Sequence, residues 1–218
     1  MPPDAALVDG SGHSIAARSQ VTIVAQAVGH LVGVYDEPSL GALRVTLRSP
    51  QTFGTALVFV VRESRRGWLR VLLPTRPNGS TGWIRSSGVR LSWHTYRIVV
   101  ELHAHRVTVY HGTAIITREP AGIGTRETPT PSGTYYTRDL IQTLKPRGPY
   151  GPYVYELSGY STVLKHFNGG DGLIGIHGTN QPQFIGRDVS HGCIRISNAA
   201  ITRLAHMLPI GVPVEIRP

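Results

Sequence analysis

Residues 173–198 read LIGIHGTNQPQFIGRDVSHGCIRISN. The first five, LIGIH, are apolar and short, with a glycine on either side, which is the pattern of a buried strand. Alternation places Ile174 and Ile176 on one face and Leu173 and His177 on the other. His177 therefore ends a rigid element, and Gly178 opens a turn beside it. After the loop TNQPQFIGRDVS comes Ser190-His191-Gly192-Cys193.

Cys193 is the one cysteine of the chain. A free thiol titrates near pH ~8.5 and its thiolate is the nucleophile, so catalysis needs a base or a cation beside the sulfur. His191 and His177 are the candidates. Gly192 gives the backbone freedom to aim amide groups at a developing oxyanion. The helix that follows within a few residues would lower the thiol pKa through its dipole. On the residues alone two readings stay open. One is a cysteine nucleophile served by histidine, and the other is a buried cysteine with two hydrogen-bonded histidines.

Working outward, residues 198–208 (NAAITRLAHML) form the one convincing helix. Ile201, Leu204, Ala205 and Leu208 share a face, Asn198 is the expected N-cap, and Pro209 with Gly211 ends it. VPVEI is a last strand. Residues 126–172 are rich in Gly, Pro and Tyr and read as long loops with short strands, the kind that line a site. Asp171 in GGDG reads as a turn residue. Residues 93–125 hold an antiparallel set, YRIVVEL, HRVTVYH and TAIITREPAGIG. His103 and His105 share a strand face there with His111 nearby, but no carboxylate or cysteine follows at ligand spacing, so no metal is expected. Between residues 20 and 92, short apolar runs alternate with turns, as in a small sandwich or barrel. Residues 21–34 read as strand, Asn78-Gly79 as a hairpin signal, and Trp68 and Trp83 as packing residues. Residues 1–19 are polar and read as a flexible tail.

Composition narrows the function classes. Hydrophobic residues at 40% and charged residues at 16% describe a globular chain rather than a disordered one. A single cysteine excludes a disulfide framework and a cysteine-rich zinc site. The net charge of +9 attracts polyanions, but the basic residues are scattered, which disfavours a dedicated nucleic-acid groove. No run of 18 apolar residues exists, so no membrane span is expected. Nor does the sequence show the pattern of a signal peptide.

The set IGIHGTN…IGRDVSHGCIRISN…GVPVEI, together with TPTPSGTYY, resembles the signature of the L,D-transpeptidases, the YkuD-like family. That signature is a His-Gly strand end, a loop, then Ser/Thr-His-Gly-Cys followed by an apolar residue and Arg or Asn. The resemblance covers residues from about 95 to the end. It implies a mainly β fold: a catalytic domain over 93–218 with one main helix, preceded by a small all-β, SH3-like or sandwich domain over 20–92. It implies that a cysteine attacks the carbonyl before the terminal D-alanine of a peptidoglycan stem. D-alanine leaves, a thioester forms, and a second stem's amine takes the acyl group in a 3→3 cross-link.

Carried onto this chain, the family pattern makes Cys193 the nucleophile and His177 the base. His191 supports and orients, and the Gly178 carbonyl fixes the His177 tautomer. The Cys193 and Gly192 amides are the oxyanion donors, and Ser190 stabilises the loop. Arg195 either holds a substrate carboxylate or braces the loop, and Tyr153 and Tyr155 either contact the stem or pack. No cofactor is implied. The implied partners are stem peptides and the anionic cell wall, outside the cytoplasm, with the export signal or anchor not present in this sequence. Water could take the same thioester, giving an L,D-carboxypeptidase or cross-link hydrolase, and a non-catalytic wall-binding module is the reading outside enzymes.

Overall fold

The computed structural model describes residues 20–166 and 170–218. The tail expected over 1–19 lies outside the described residues. The chain divides into two compact units. One runs to Leu73 and includes Ser80–Thr95, and the other holds Pro74–Gly79 and Tyr96–Pro218. The break after Thr95 falls slightly beyond the expected 92/93 boundary.

The first unit is one antiparallel sheet of seven strands: β1 (Thr22–Ala27), β2 (Leu31–Tyr35), β3 (Leu43–Arg48), β4 (Val58–Arg65), β5 (Trp68–Leu72), β6 (Thr81–Arg85) and β7 (Val89–His94). Their spatial order is β3-β2-β6-β5-β4-β1-β7. The run 21–34 is two strands rather than one, broken at Val28, Gly29 and His30. Alternation selects the core: Val34, Phe59, Val71 and Ile84 are fully buried, while Gln26 and Arg70 between such residues face out. Trp68 and Trp83 are buried too. Arg85 and Arg65 lie over their rings at 4.9 and 4.8 Å, and Tyr35 meets Trp68 edge-on.

The second unit contains β8 (Tyr96–Glu101), β9 (Arg106–His111), β10 (Ala114–Pro120), β11 (Ile123–Gly124), β12 (Gly133–Gln142), β13 (Tyr153–Tyr160), β14 (Leu173–His177), β15 (Asp188–Ser190), β16 (Ile194–Arg195) and β17 (Pro213–Arg217). Eight of them form a sheet in the order β10-β9-β8-β17-β12-β13-β14-β16, and β11 and β15 pair separately. The C-terminal β17 enters the middle of this sheet, parallel to β8 and antiparallel to β12. It buries Val214 and Ile216 on the core side.

Residues 126–172 depart most from the sequence reading. Instead of short strands in loops, they supply the ten-residue β12 and the eight-residue β13 at the heart of the sheet. The flanking Pro and Gly residues disguise them, but within the strands Tyr135, Tyr136 and Tyr155 carry full burial. His103 also departs from expectation: with His105 it lies in the β8–β9 turn, not on a strand face. His105 has φ 47°, and its Nε2 meets Asp188 at 2.7 Å.

The one α-helix among the described residues, α1 (Asn198–Met207), packs on β13 and β14 through Ala200, Ile201 and Leu204. Its N-cap is Ser197, whose hydroxyl accepts from Ala200 N, not Asn198 as the sequence suggested. The helix is anchored at its other end by Tyr155. Its buried hydroxyl lies 3.0 and 2.9 Å from the carbonyls of Leu204 and Leu208. Tyr155 therefore packs and holds the helix that follows the Cys193 segment.

Candidate active site

His177 ends β14, between β13 and β16. It pairs with Val154 on one side and with Arg195 on the other, and its carbonyl accepts from Ile196 N at 2.9 Å. The ring is buried, 3% exposed. Its Nδ1 lies 2.6 Å from the Gly178 carbonyl. A carbonyl only accepts, so Nδ1 carries the proton and Nε2 presents its lone pair.

The turn that delivers this carbonyl is unusually tight. A Cβ on Gly178 would collide with Asn198 Oδ1, and Gly151 packs against Gly178 from the other side. Asn198 Oδ1 also accepts from Thr179 N at 2.8 Å. Released from capping by Ser197, Asn198 thus spends its side chain on ordering the turn beside His177. The sequence reading did not find this role.

Cys193 stands between β15 and β16, in a turn bound by Ser190. The Ser190 hydroxyl donates to the Cys193 carbonyl at 2.5 Å and accepts from Gly192 N at 3.1 Å. Gly192 has φ 113°, a conformation that side chains disfavour, so glycine is required for this turn. Its amide, expected to be an oxyanion donor, is already taken by the Ser190 hydroxyl.

One pocket gathers these groups. His177, Ser190, His191, Cys193 and Arg195 line it, with Tyr150 and the residues Ser161, Leu164 and Leu173 around them. Tyr150 meets the His177 ring edge-on at 4.9 Å. Among the described residues no three His, Cys, Asp or Glu side chains converge as a metal site.

The sequence over this unit matches a known family. The family model for the L,D-transpeptidase catalytic domain, YkuD, matches residues 95–216, more than half the chain and the whole of the pocket. The chain belongs to the L,D-transpeptidase catalytic-domain family. The YkuD protein of Bacillus licheniformis is 35% identical over 123 residues, which are 56% of this chain and 66% of that protein. The YkuD protein of Bacillus subtilis is 35% identical over 121 residues, 56% of this chain and 65% of its own length. The match thus spans just under two thirds of either relative. The crystal structure of L,D-transpeptidase 3 from Mycobacterium tuberculosis aligns over 89% of this chain and 98% of its own, with 15% identity and a TM-score of 0.48.

Within this family member the other predicted residues are distributed unevenly. His191 is exposed at the pocket mouth. Arg195 is half-buried; its Nη1 donates to Gln181 Oε1 at 3.3 Å, and its buried Nε has no hydrogen-bond partner among the described residues. Tyr153 does not line the pocket, and meets His206 edge-on instead. Tyr150 is the aromatic beside the histidine. The run of Gly, Pro and Tyr around it signalled a site-lining loop but could not say which tyrosine faces inward.

The electrostatics oppose a resting ion pair. Burial pushes the His177 pKa down to about 4, against the pull of the Gly178 carbonyl and helped by the charge of Arg195. Desolvation pushes the Cys193 thiol up, with a smaller upward push from Glu156, against the lowering effects of the Gly175 backbone and Arg195. The net shift is upward, opposite to the lowering expected from the helix dipole. Cys193 as a residue is half-buried and lines the pocket, while its thiol is surrounded closely enough for desolvation to dominate. Both shifts favour the uncharged forms, a neutral thiol and a neutral imidazole.

This has a consequence for stability. Below about pH 6.5 the unfolded chain takes up a proton on this histidine that the folded chain refuses until about pH 4. Stability is therefore lost as pH falls through that window, by up to ~3 kcal/mol from this group. Urea unfolding at pH 7 and at pH 4.5 should show a smaller loss for His177→Gln than for the wild type. Equal losses would contradict the burial of a neutral imidazole.

Proposed function

We propose that this chain is a cysteine-dependent L,D-transpeptidase that forms 3→3 cross-links between peptidoglycan stem peptides outside the cytoplasm. The carrying observation is a thiol and a tautomer-fixed, neutral histidine on the wall of one open pocket. The family membership supports the same chemistry. The organisation that goes with this reading is a separate β domain over 20–92 and a catalytic domain over 93–218.

In the proposed reaction the Cys193 sulfur attacks the carbonyl carbon that precedes the terminal D-alanine. Its proton passes to His177 Nε2, and the Cys193 amide donates to the oxyanion. The imidazolium returns the proton to the departing nitrogen as the C–N bond breaks. D-alanine leaves and a thioester remains. The side-chain amine of a second stem attacks the thioester, the amide forms, and the thiol is restored. A neutral histidine suits this cycle, because the base is available across the whole neutral range. The net charge of +9 favours residence on an anionic wall.

Incubating the protein with a tetrapeptide stem, with and without an amine acceptor, tests the reading. D-alanine release with a cross-linked dimer in the presence of acceptor is expected. Release with free tripeptide as the only second product would reassign the chain to an L,D-carboxypeptidase. Absence of D-alanine from a folded protein would remove the enzymatic reading.

A further inference from the structure

We propose that Arg76 is a positioning residue of the donor pocket, holding in place the backbone wall that carries Ser161, Leu164 and Gly172. The proposal rests on the transpeptidase reading and adds a residue to it from far outside the signature. Pro74–Gly79 lies between β5 and β6 in sequence but belongs to the second unit, the one that contains the pocket. Its contacts there are directed at the chain leaving β13 and the chain entering β14.

One guanidinium meets three carbonyls. Arg76 Nη1 donates to Ser161 O at 2.8 Å, and Nη2 donates to Leu164 O at 3.2 Å and to Asp171 O at 3.1 Å. Ser161 and Leu164 line the pocket, as does Gly172, next to Asp171. The same group lies 4.7 Å over the Tyr160 ring. Asn78 grips the Tyr160 backbone in both directions: Nδ2 donates to Tyr160 O at 2.8 Å, and Oδ1 accepts from Tyr160 N at 2.9 Å. The Tyr160 hydroxyl closes the set by donating to Pro74 O at 2.9 Å.

The wall needs such a group. Ser161 N donates to Gly172 O at 2.8 Å, and a Cβ on Gly172 would collide with the Leu164 carbonyl, so two backbone segments pass at contact. Carbonyl oxygens from both segments converge on one point, and their partial charges repel. A planar cation with a fork of donors satisfies several at once, whereas an ammonium is a single point. Loss of Arg76 frees the Leu164 side of the wall while leaving His177 and Cys193 on their own strand and turn. Donor binding should therefore suffer before the thiol chemistry does.

The test uses the full chain as Arg76→Ala and Arg76→Lys. Arg76→Ala should raise KM for a tetrapeptide donor by roughly tenfold, because a displaced wall loses donor contacts that the ground state and the transition state share. Its kcat at saturating donor should stay within about twofold of wild type, and so should the rate of Cys193 alkylation by iodoacetamide, a reagent too small to need the wall. Arg76→Lys should recover only part of the KM. Amide exchange at Val163 and Leu164 should quicken in Arg76→Ala. An unchanged KM overturns the proposal, and so does a parallel fall of kcat and alkylation, which would mark a merely structural residue. If the wild type itself releases no D-alanine, the transpeptidase reading fails on its own, and unchanged exchange at Val163 and Leu164 then overturns the brace separately.

Discussion

Cys193→Ala is expected to keep its fold and to lose D-alanine release by at least about a thousandfold. The substitution removes one sulfur from a half-buried position. The backbone contacts that shape the turn, from Ser190 to the Cys193 carbonyl and from Gly192 to Ser190, do not use the thiol. Melting should therefore stay close to wild type. The chain has no second cysteine to stand in as nucleophile, so nothing else can form the thioester. D-alanine released per mole of folded protein is the readout. Residual activity above about a thousandth of wild type would remove Cys193 from the nucleophile role.

His177→Ala should follow, with a loss of kcat/KM on the order of a hundred- to ten-thousandfold, the usual range for a proton-transferring group. His191→Ala should lose much less, and His103→Ala should be near neutral. The ordering follows from placement. His177 is buried at a strand end, with its tautomer fixed by Gly178 and its ring faced by Tyr150. His191 is exposed at the pocket mouth and His103 is exposed in a turn. Because His177 is buried, activity should be compared per folded molecule, with His177→Gln as the less disruptive variant. A larger loss for His191→Ala than for either His177 variant would transfer the base role to His191.

The segment around His177 and Cys193 was the most legible part of the chain because its information is local. The alternation of Leu173–His177 set the face of the histidine, and Ser190 through Cys193 fixed a turn that glycine alone can make. What escaped depended on contacts between distant segments. β12 and β13 are ordinary strands hidden by prolines and glycines on their flanks, and only the burial of Tyr135, Tyr136 and Tyr155 against the rest of the sheet reveals them. Asn198 looked like a cap because Asn favours that position, but Ser197 sits one residue earlier and frees it to hold the Thr179 amide. Tyr150 and Tyr153 are three residues apart, and no sequence signal says which faces the histidine. Arg76 lies eighty-five residues from Ser161, in a segment that reads as a plain hairpin turn. The thiol pKa went the other way from the local expectation, since desolvation depends on what the whole domain packs around the sulfur.

The central claim is that Cys193 forms an acyl-enzyme with help from His177. A carbapenem presents a strained amide with a carboxylate close by, much as a stem presents an amide near its terminal carboxylate. Ring opening by the sulfur should add the whole mass of the drug and leave a slowly hydrolysed thioester. Intact-mass spectrometry of wild type, Cys193→Ala and His177→Gln after incubation with a carbapenem measures this directly. The account predicts one equivalent on wild type, none on Cys193→Ala, and a much slower adduct on His177→Gln. A folded wild type that gains no mass, or an adduct that persists in Cys193→Ala, would contradict it.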